Sequence, residues 1–184
     1  MAQSQETQTF LDNILALPSS PGVSLDGVLA KAIEDETVLR RLYANDRTST
    51  RISNPYVGLV SVYDAPDAIR KTRARVVKDK EDLDAKHILP LADDLRRKEG
   101  TPSVAESLEQ FQRNWNVFTE GALSQLTDWN NVVAAGGSVL ACLLPLSAEN
   151  GETKRAIRKF YHSKAYPTSD VDLFLWGLTP QQVE

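Results

Sequence analysis

The chain has 184 residues, enough for one core or for a helical region beside a small α/β unit, and too few for two large domains. Hydrophobic residues make up 41% and charged residues 25%, which excludes wholesale disorder. The formal net charge of −4 gives no global attraction to nucleic acid or to an anionic membrane, so the charge indicates neither partner.

Cysteine usage and hydropathy indicate the compartment. Cys142 is the single cysteine, so it forms no disulfide within the chain, and its apolar neighbours predict a buried thiol. Residues 1–9 are polar and lack the apolar core of a secretion signal. The most apolar stretch, residues 132–146, is interrupted by glycines and closed by Pro145, so it is too short to span a bilayer. We therefore expect an intracellular protein, cytoplasmic or nuclear, with no membrane contact.

Apolar residues at helical spacing predict two helices in the first part of the chain. The first covers residues 10–17 and ends in a cluster of turn-forming residues at 18–22. Ser24 is a suitable cap for the second helix, whose apolar positions run through residues 25–43. A polar break is predicted over residues 45–55.

The middle of the chain is predicted to hold a strand followed by a charged helix. Residues 56–63 are rich in β-branched and aromatic side chains, which favours a strand, although Gly58 opposes it. The acidic residues around Pro66 indicate a helix start, and a charged helix is expected to continue through residue 77. Charges then alternate in sign over residues 78–98, which is typical of a solvated amphipathic face.

A long amphipathic helix is predicted after a second break at residues 100–103. Ser103 is a suitable cap for this helix. An apolar stripe predicts its buried face. The stripe consists of Leu108, Phe111, Trp115, Phe118 and Leu123.

The last third of the chain alternates between strand and helix patterns. The predicted elements are a strand over 131–135, helical turns over 138–144, a basic helix over 154–164 capped by Thr153, a strand over 170–176 and a helix start at Thr179. The chain is therefore predicted to be α+β. A mostly helical region over residues 1–126 precedes an α/β unit over residues 127–184.

One group of residues in the α/β unit indicates a phosphate-binding and metal-binding site. Gly136 and Gly137 allow the backbone to approach a ligand closely, and the helix start that follows, with the Ser138 hydroxyl, suits phosphate. Because side chains alternate along a strand, Asp170 and Asp172 are expected on one face. Two carboxylates that close repel each other unless a cation lies between them, and Mg²⁺ or Mn²⁺ suits such oxygen ligands.

Gly137-Ser138 followed by Asp170-x-Asp172 resembles the signature of the polymerase-β-type nucleotidyltransferase superfamily, over about residues 128–178. The resemblance implies that the glycines and Ser138 hold the β- and γ-phosphates of a nucleoside triphosphate, while the two aspartates hold metal ions and catalyse. In that family a third carboxylate on a following strand completes the site. No such strand is predicted after Asp172, so the nucleotidyltransferase-like unit is expected to be incomplete.

A second resemblance covers residues 114–115, 129–138 and 166–178. There the sequence is similar to uncharacterised fungal proteins that are sometimes labelled ankyrin-repeat proteins. In those proteins the chain continues further. This resemblance implies that the 184 residues are an N-terminal part or a shortened paralogue.

Two functions are therefore expected. The first is metal-dependent nucleotide binding or nucleotidyl transfer. The alternative is a non-catalytic protein-interaction module of the same fold, in which a protein partner or second chain pairs with the open edge of the strand at 170–176. The basic helix at 154–164 is a candidate phosphate or RNA contact, although such a pattern is more typical of a solvated face.

Other enzyme and metal classes lack their signatures. With two histidines and one cysteine, the chain has no zinc site of usual spacing. No lysine of the nucleotide-binding P-loop type follows Ser138, and no Gly-x-Ser-x-Gly elbow is present.

Overall fold

A computed structural model of the chain describes residues 4–17, 25–74 and 97–183. The chain divides into two compact units, Met1–Thr101 and Pro102–Glu184. The boundary between the units therefore lies before the long amphipathic helix, whereas the sequence pattern predicted a boundary after residue 126. Across the described ranges the structure is mostly helical with a small antiparallel sheet, which confirms a mixed α and β composition. None of the helices in these ranges has the length and apolarity that a membrane span requires.

The first unit is built on two helices, α1 (Gln5–Leu15) and α2 (Leu25–Asn45). They pack against each other, as amphipathic helices do. Ser4 caps α1, because its Oγ accepts the Thr7 N–H at 3.2 Å. The two predicted helices are confirmed. The predicted turn at 18–22 and the predicted cap at Ser24 lie outside the described residues.

Residues 56–58 and 62–64 lie in turns with irregular chain between them, so the predicted strand over residues 56–63 is wrong. The Leu59 N–H donates to the Tyr56 carbonyl at 3.1 Å, which closes a turn. Gly58 has a φ of 76°, a conformation that a regular strand does not contain. The Leu59 carbonyl accepts a hydrogen bond from the buried Thr7 hydroxyl at 3.1 Å instead of from a neighbouring strand. This hydrogen bond joins the segment to α1.

A single 3₁₀ turn, Asp67–Arg70, stands where the sequence predicts a longer charged helix. Its start agrees with the prediction, but its length does not. The Arg70 guanidinium donates to three carbonyls of the preceding loop, those of Val62, Tyr63 and Ala65. The Thr72 N–H then donates to the Thr101 carbonyl at 2.7 Å, which holds the chain extended. Residues 75–96, which include the rest of this prediction and most of the alternating charges, are not described.

The first unit also contains a short 3₁₀ helix, Thr50–Ile52. The second unit contains the other elements. In chain order they are α3 (Leu108–Phe118), β1 (Val132–Ala135), α4 (Gly137–Leu143), α5 (Ala148–Gly151), α6 (Lys154–Lys159), a π-helical turn (Phe160–Ala165), β2 (Asp172–Leu175) and α7 (Pro180–Val183). The predicted basic helix is thus split into α6 and the π-helical turn. The core of the second unit is a cluster of Phe118, Ala141, Cys142, Ile157 and Tyr161. The rings of Phe118 and Tyr161 meet edge to face with centroids 5.2 Å apart.

Side-chain caps fix the helix starts in the second unit. Ser107, and not Ser103, caps α3, because the Ser107 Oγ accepts the Gln110 N–H at 3.1 Å. The helix ends at Phe118, so Leu123 of the predicted stripe lies beyond it. Thr153 caps α6 as predicted, with its Oγ1 accepting the Ala156 N–H at 3.1 Å.

The sheet of the second unit pairs β1 with β2 in antiparallel order, with α4, α5 and α6 between them in the chain. The register pairs Val132 with Leu175, Val133 with Phe174, Ala134 with Leu173 and Ala135 with Asp172. The Trp176 N–H donates to the Asn131 carbonyl at 3.0 Å, which extends the ladder beyond the strands. Each strand falls within its predicted segment, and this pairing sets the position of Asp172.

Candidate functional site

The candidate site begins at the bend between β1 and α4. Gly136 has a φ of 82° and a ψ of −157°, a backbone conformation that essentially only glycine adopts. Its carbonyl accepts the Leu140 N–H at 3.2 Å, which starts α4 directly after the strand. The sequence folds this way because β1 is short and apolar and the two glycines allow an immediate reversal. The bend therefore presents backbone, rather than side chains, at the end of the sheet.

Asp172 lies directly against this bend. It is the first residue of β2 and stands opposite Ala135, the last residue of β1. A β-carbon added to Gly136 would lie 2.7 Å from the Asp172 Oδ2 atom, so only a glycine leaves room for the carboxylate. Asp172 is exposed. The structure thus brings together the predicted acid and the predicted glycine bend.

Asp170 has a different place from the one predicted. It is exposed and precedes β2 by two residues, so the strand predicted over residues 170–176 is shorter at both ends. The physical reason is the length of β1: it ends at Ala135, so Asp170 has no pairing residue in the ladder. The turn at Pro167 and Thr168 comes just before it. The side-chain alternation of a strand therefore does not fix Asp170 on the face of Asp172.

Ser138 is buried rather than presented at the surface. Its side chain is 1% exposed, and its Oγ is a buried polar atom without a hydrogen-bond partner in the described part of the chain. A buried hydroxyl left unpaired costs about 1–3 kcal/mol, so a water or a ligand oxygen that reached it would be stabilising. Gly136 and Gly137 are exposed. Of the three predicted phosphate-binding residues, the two glycines are therefore open to solvent.

Metal ligands are limited at this site. Over the described ranges, no group of three or more His, Cys, Asp or Glu side chains is arranged to hold a metal ion. Mg²⁺ is commonly held by one or two carboxylates while phosphates and water supply the other ligands. Asp172 at the bend supplies one such carboxylate. The chemistry of these residues is therefore compatible with Mg²⁺ or Mn²⁺ only when a nucleotide supplies the remaining oxygens.

A buried asparagine, Asn114, holds α4 in place behind the bend. The sequence pattern did not predict this role. Asn114 is fully buried in α3 and donates from Nδ2 to the Cys142 carbonyl at 3.1 Å. The Ala105 N–H donates to the Leu143 carbonyl at 2.7 Å, which holds the same end of α4. Asn114 falls between Phe111 and Trp115 of the apolar stripe. A polar residue inside such a stripe is the signal that would have identified it.

Cys142 is buried as predicted. It belongs to the core cluster, and burial raises the pKa of its thiol to about 12. Burial likewise raises the pKa of the Tyr161 hydroxyl, which lies beside it and donates to the Ala141 carbonyl at 3.4 Å. Since the thiolate is the reactive form, Cys142 is a packing residue and not a nucleophile.

The basic segment after Thr153 is partly neutralised. Arg158 pairs with Glu120, with 2.8 Å between Nε and Oε1. A His162 ring nitrogen lies 3.4 Å from the Val117 carbonyl. Lys154, Arg155 and Lys159 are exposed. These contacts favour an ordinary solvated face that is tied to α3.

A groove of about 360 Å³ in the first unit is a second concavity, bounded by α1, α2 and the turns near Gly58. Glu6 and Asp35 in its lining both pair with Arg51, at 3.3 Å and 3.1 Å. Lys31 also pairs with Asp35, at 3.2 Å, so the two acids are matched by two cations within the fold. Unlike Asp172 at the bend, the Glu6 and Asp35 carboxylates in the groove are held by cations of the protein itself.

Comparison of the chain with protein families, with curated proteins and with solved structures found no match.

Proposed function

We propose that the second unit binds a nucleoside triphosphate together with Mg²⁺ or Mn²⁺, as an incomplete unit of the polymerase-β-type nucleotidyltransferase kind. Gly136 and Gly137 bind phosphate oxygens through their backbone, and Asp172 holds the metal with Asp170 as a second carboxylate. The observation that carries this proposal is the approach of the Asp172 carboxylate to Gly136. An acid and the exposed backbone of a glycine bend thereby lie side by side, where one metal-bound nucleotide contacts both.

The metal and the nucleotide bind together in this proposal. Two carboxylates alone leave most of the coordination sphere of Mg²⁺ to water, so affinity for the free ion is low. The nucleotide in turn needs the ion, because its phosphates would otherwise lie against the negative charge of Asp172. Nucleotide binding is therefore expected to require the divalent ion. Because no third carboxylate joins Asp170 and Asp172 in the described part of the chain, nucleotidyl transfer is expected to be weak beside binding.

Calorimetric titration with ATP and GTP, each with and without Mg²⁺, tests the proposal. We expect Mg²⁺-dependent binding that Asp172→Ala weakens at least about tenfold, or ~1.4 kcal/mol. Asp170→Ala is expected to have a smaller effect, since Asp170 lies outside the strand ladder. Glu152→Ala, which removes an exposed acid elsewhere in the same unit, is the matched control and leaves binding unchanged. Binding that does not need the metal, or that survives Asp172→Ala, contradicts the proposal.

The second candidate is a non-catalytic protein-interaction module of the same fold. The exposure of the three apolar residues of β2 favours it, because apolar strand residues are normally covered. The same titration separates the two: no nucleotide binding by the unmodified chain favours the module. Nucleotide binding that is lost on Asp172→Ala favours the first candidate.

A further inference from the structure

The outer edge of β2 is open. Within the described part of the chain, β2 pairs only with β1, in a two-stranded sheet. The apolar side chains of β2 are exposed on both faces of the sheet. A sheet of only two strands is marginally stable in water, so a further strand would stabilise it. The exposed fractions are 42% for Leu173, 56% for Phe174, 53% for Leu175 and 39% for Trp176. An open edge with apolar residues on both faces is a surface for pairing with another strand.

The antiparallel ladder determines which backbone groups face outward. The Trp176 N–H donates to the Asn131 carbonyl, so residue 176 directs its backbone groups toward β1. In an antiparallel ladder this direction alternates, so Asp172 and Phe174 also face β1, while Leu173 and Leu175 face the open side. The open edge of β2 therefore offers two N–H donors and two carbonyl acceptors.

We propose that a second copy of this chain pairs with β2 in antiparallel order about a two-fold axis at Phe174. In this register Leu173 faces Leu175 of the second copy, and each pair exchanges two hydrogen bonds, so that all four outward groups are used. Phe174 faces Phe174 of the second copy across the axis. The result is a continuous four-stranded sheet, with β2 and its copy at the centre.

The strand sequence supports a second copy as the partner. Leu173-Phe174-Leu175 reads the same in both directions, so each apolar side chain meets an apolar side chain on both faces of the sheet. Asp172 stands opposite Trp176 of the second copy, and no acid faces an acid. If the axis lay at Leu173 or Leu175, the other outward-facing residue of each strand would have no partner within β2 of the second copy. Self-pairing about Phe174 is the register that satisfies the edge fully.

The expected dimer is weak and does not depend on nucleotide binding. One short strand pair buries less than the roughly 1,200 Å² of total surface at which stable interfaces begin. The dimer should therefore form and dissociate with concentration. Phe174 is not part of the proposed nucleotide site, so its substitution leaves the calorimetric test unaffected.

Sedimentation velocity over a range of concentrations tests the association. We expect the full chain to shift from monomer to dimer as concentration rises, and Phe174→Lys to remain monomeric because two ammonium groups would face each other at the axis. Leu140→Lys changes a side chain of the same exposed fraction, 56%, on α4, and should dimerise normally. A full chain that stays monomeric at every concentration, or a dimer that Phe174→Lys leaves intact, overturns the proposal.

Disulfide formation tests the register. Across the axis, Phe174 and its copy form a non-hydrogen-bonded pair with Cα atoms about 4.5 Å apart, a distance that a disulfide spans. Phe174→Cys should therefore form a crosslinked dimer quickly, whereas Val133→Cys, also exposed on the same face, should not. The native Cys142 does not interfere, since it is fully buried. Equal crosslinking of the two variants overturns the proposed axis. This test does not depend on whether the Phe174→Lys variant folds.

Discussion

The carboxylate of Asp172 occupies the space that a side chain at Gly136 would need. A β-carbon at Gly136 would lie 2.7 Å from Asp172 Oδ2 and 3.7 Å from its Cγ. Gly136 also has a φ of 82°, which L side chains rarely adopt. The two constraints are independent, because one is a contact across the sheet and the other lies in the backbone itself. The bend therefore requires glycine for two separable reasons.

Gly136→Ala is expected to destabilise the chain by about 1–3 kcal/mol from backbone strain alone, with the clash adding to this. Adding Asp172→Ala to this variant should restore the stability lost to the clash, but not the stability lost to backbone strain. Gly137→Ala is the matched control: nothing lies within 4 Å of its added carbon, and alanine favours the helix by up to about 1 kcal/mol. Urea unfolding of the four proteins measures these differences. Equal effects of the two glycine substitutions would contradict the geometry.

Ser138→Ala separates a structural role of the hydroxyl from a binding role. Its Oγ is buried and unpaired in the described residues, so its removal should raise the free energy of unfolding by about 1 kcal/mol without ligand. If nucleotide phosphate reaches this hydroxyl, the same substitution weakens binding of ATP with Mg²⁺. The two effects have opposite signs and are measured separately, by urea unfolding and by calorimetry. A loss of stability above about 1 kcal/mol without nucleotide would show that Ser138 has a partner.

The sequence was sufficient to predict the strand, bend and helix at Gly136 and the strand at Asp172. Each of these depends on local patterns: an apolar run, paired glycines and alternating side chains. The cap at Thr153 was predictable for the same reason, since a capping hydroxyl acts within three residues of its position. Local chemistry therefore determined most of the second unit.

Other features depend on distant partners and could not be read locally. The turns at residues 56–63 are held by Thr7, through a bond between residues 52 positions apart. Asp170 falls outside the sheet because β1 ends at Ala135, which no pattern around Asp170 indicates. Likewise, Ser103 and Ser107 are equally suitable caps by type. The choice between them is made by the position at which the helix packs on its neighbours.

Asn114→Ala is expected to destabilise the chain by about 1–3 kcal/mol, because it leaves the buried Cys142 carbonyl without its donor. Asn116→Ala, an exposed position two residues along the same helix, should change stability by no more than about 0.5 kcal/mol. Thermal or urea unfolding of both variants measures the difference. If the two substitutions have the same effect, the contact between α3 and α4 does not depend on this hydrogen bond.

Thr7→Val tests the packing of the first unit in a similar way. The Thr7 hydroxyl is buried and donates to the Leu59 carbonyl, so the isosteric valine keeps the volume but removes the donor. We expect a loss of about 1–2 kcal/mol in the free energy of unfolding. Thr9→Val is the control, because the exposed Thr9 hydroxyl donates to the carbonyl of Gln5 within its own helix. A stable Thr7→Val protein would mean that water replaces this bond.

Stability should fall in alkaline solution because of two buried acids. Burial raises the pKa of Cys142 from 9.0 to about 12, and it also raises the pKa of Tyr161. Both groups are neutral when protonated, so the folded state binds these protons more tightly than the unfolded state does. The contribution of Cys142 is complete below about pH 9 and is lost as pH rises toward about 12, whereas that of Tyr161 begins to be lost above about pH 10. Each loss is at most about 1.4 kcal/mol per pH unit.

Substitution of each group changes the decline in a different pH range, and Cys142→Ala also lowers the pKa of Tyr161, because Cys142 is one of the causes that raise it. Cys142→Ala leaves a cavity and lowers stability at every pH, but it should flatten the decline between about pH 9 and pH 10, where Cys142 alone has begun to titrate in the unfolded chain. Tyr161→Phe should flatten the decline only above about pH 10, where tyrosine ionises in the unfolded chain. Urea unfolding at intervals from pH 8 to pH 11 gives both slopes. A Cys142→Ala protein with the slope of the unmodified chain would mean that the thiol ionises freely in the folded state, and that the core around it is open to water.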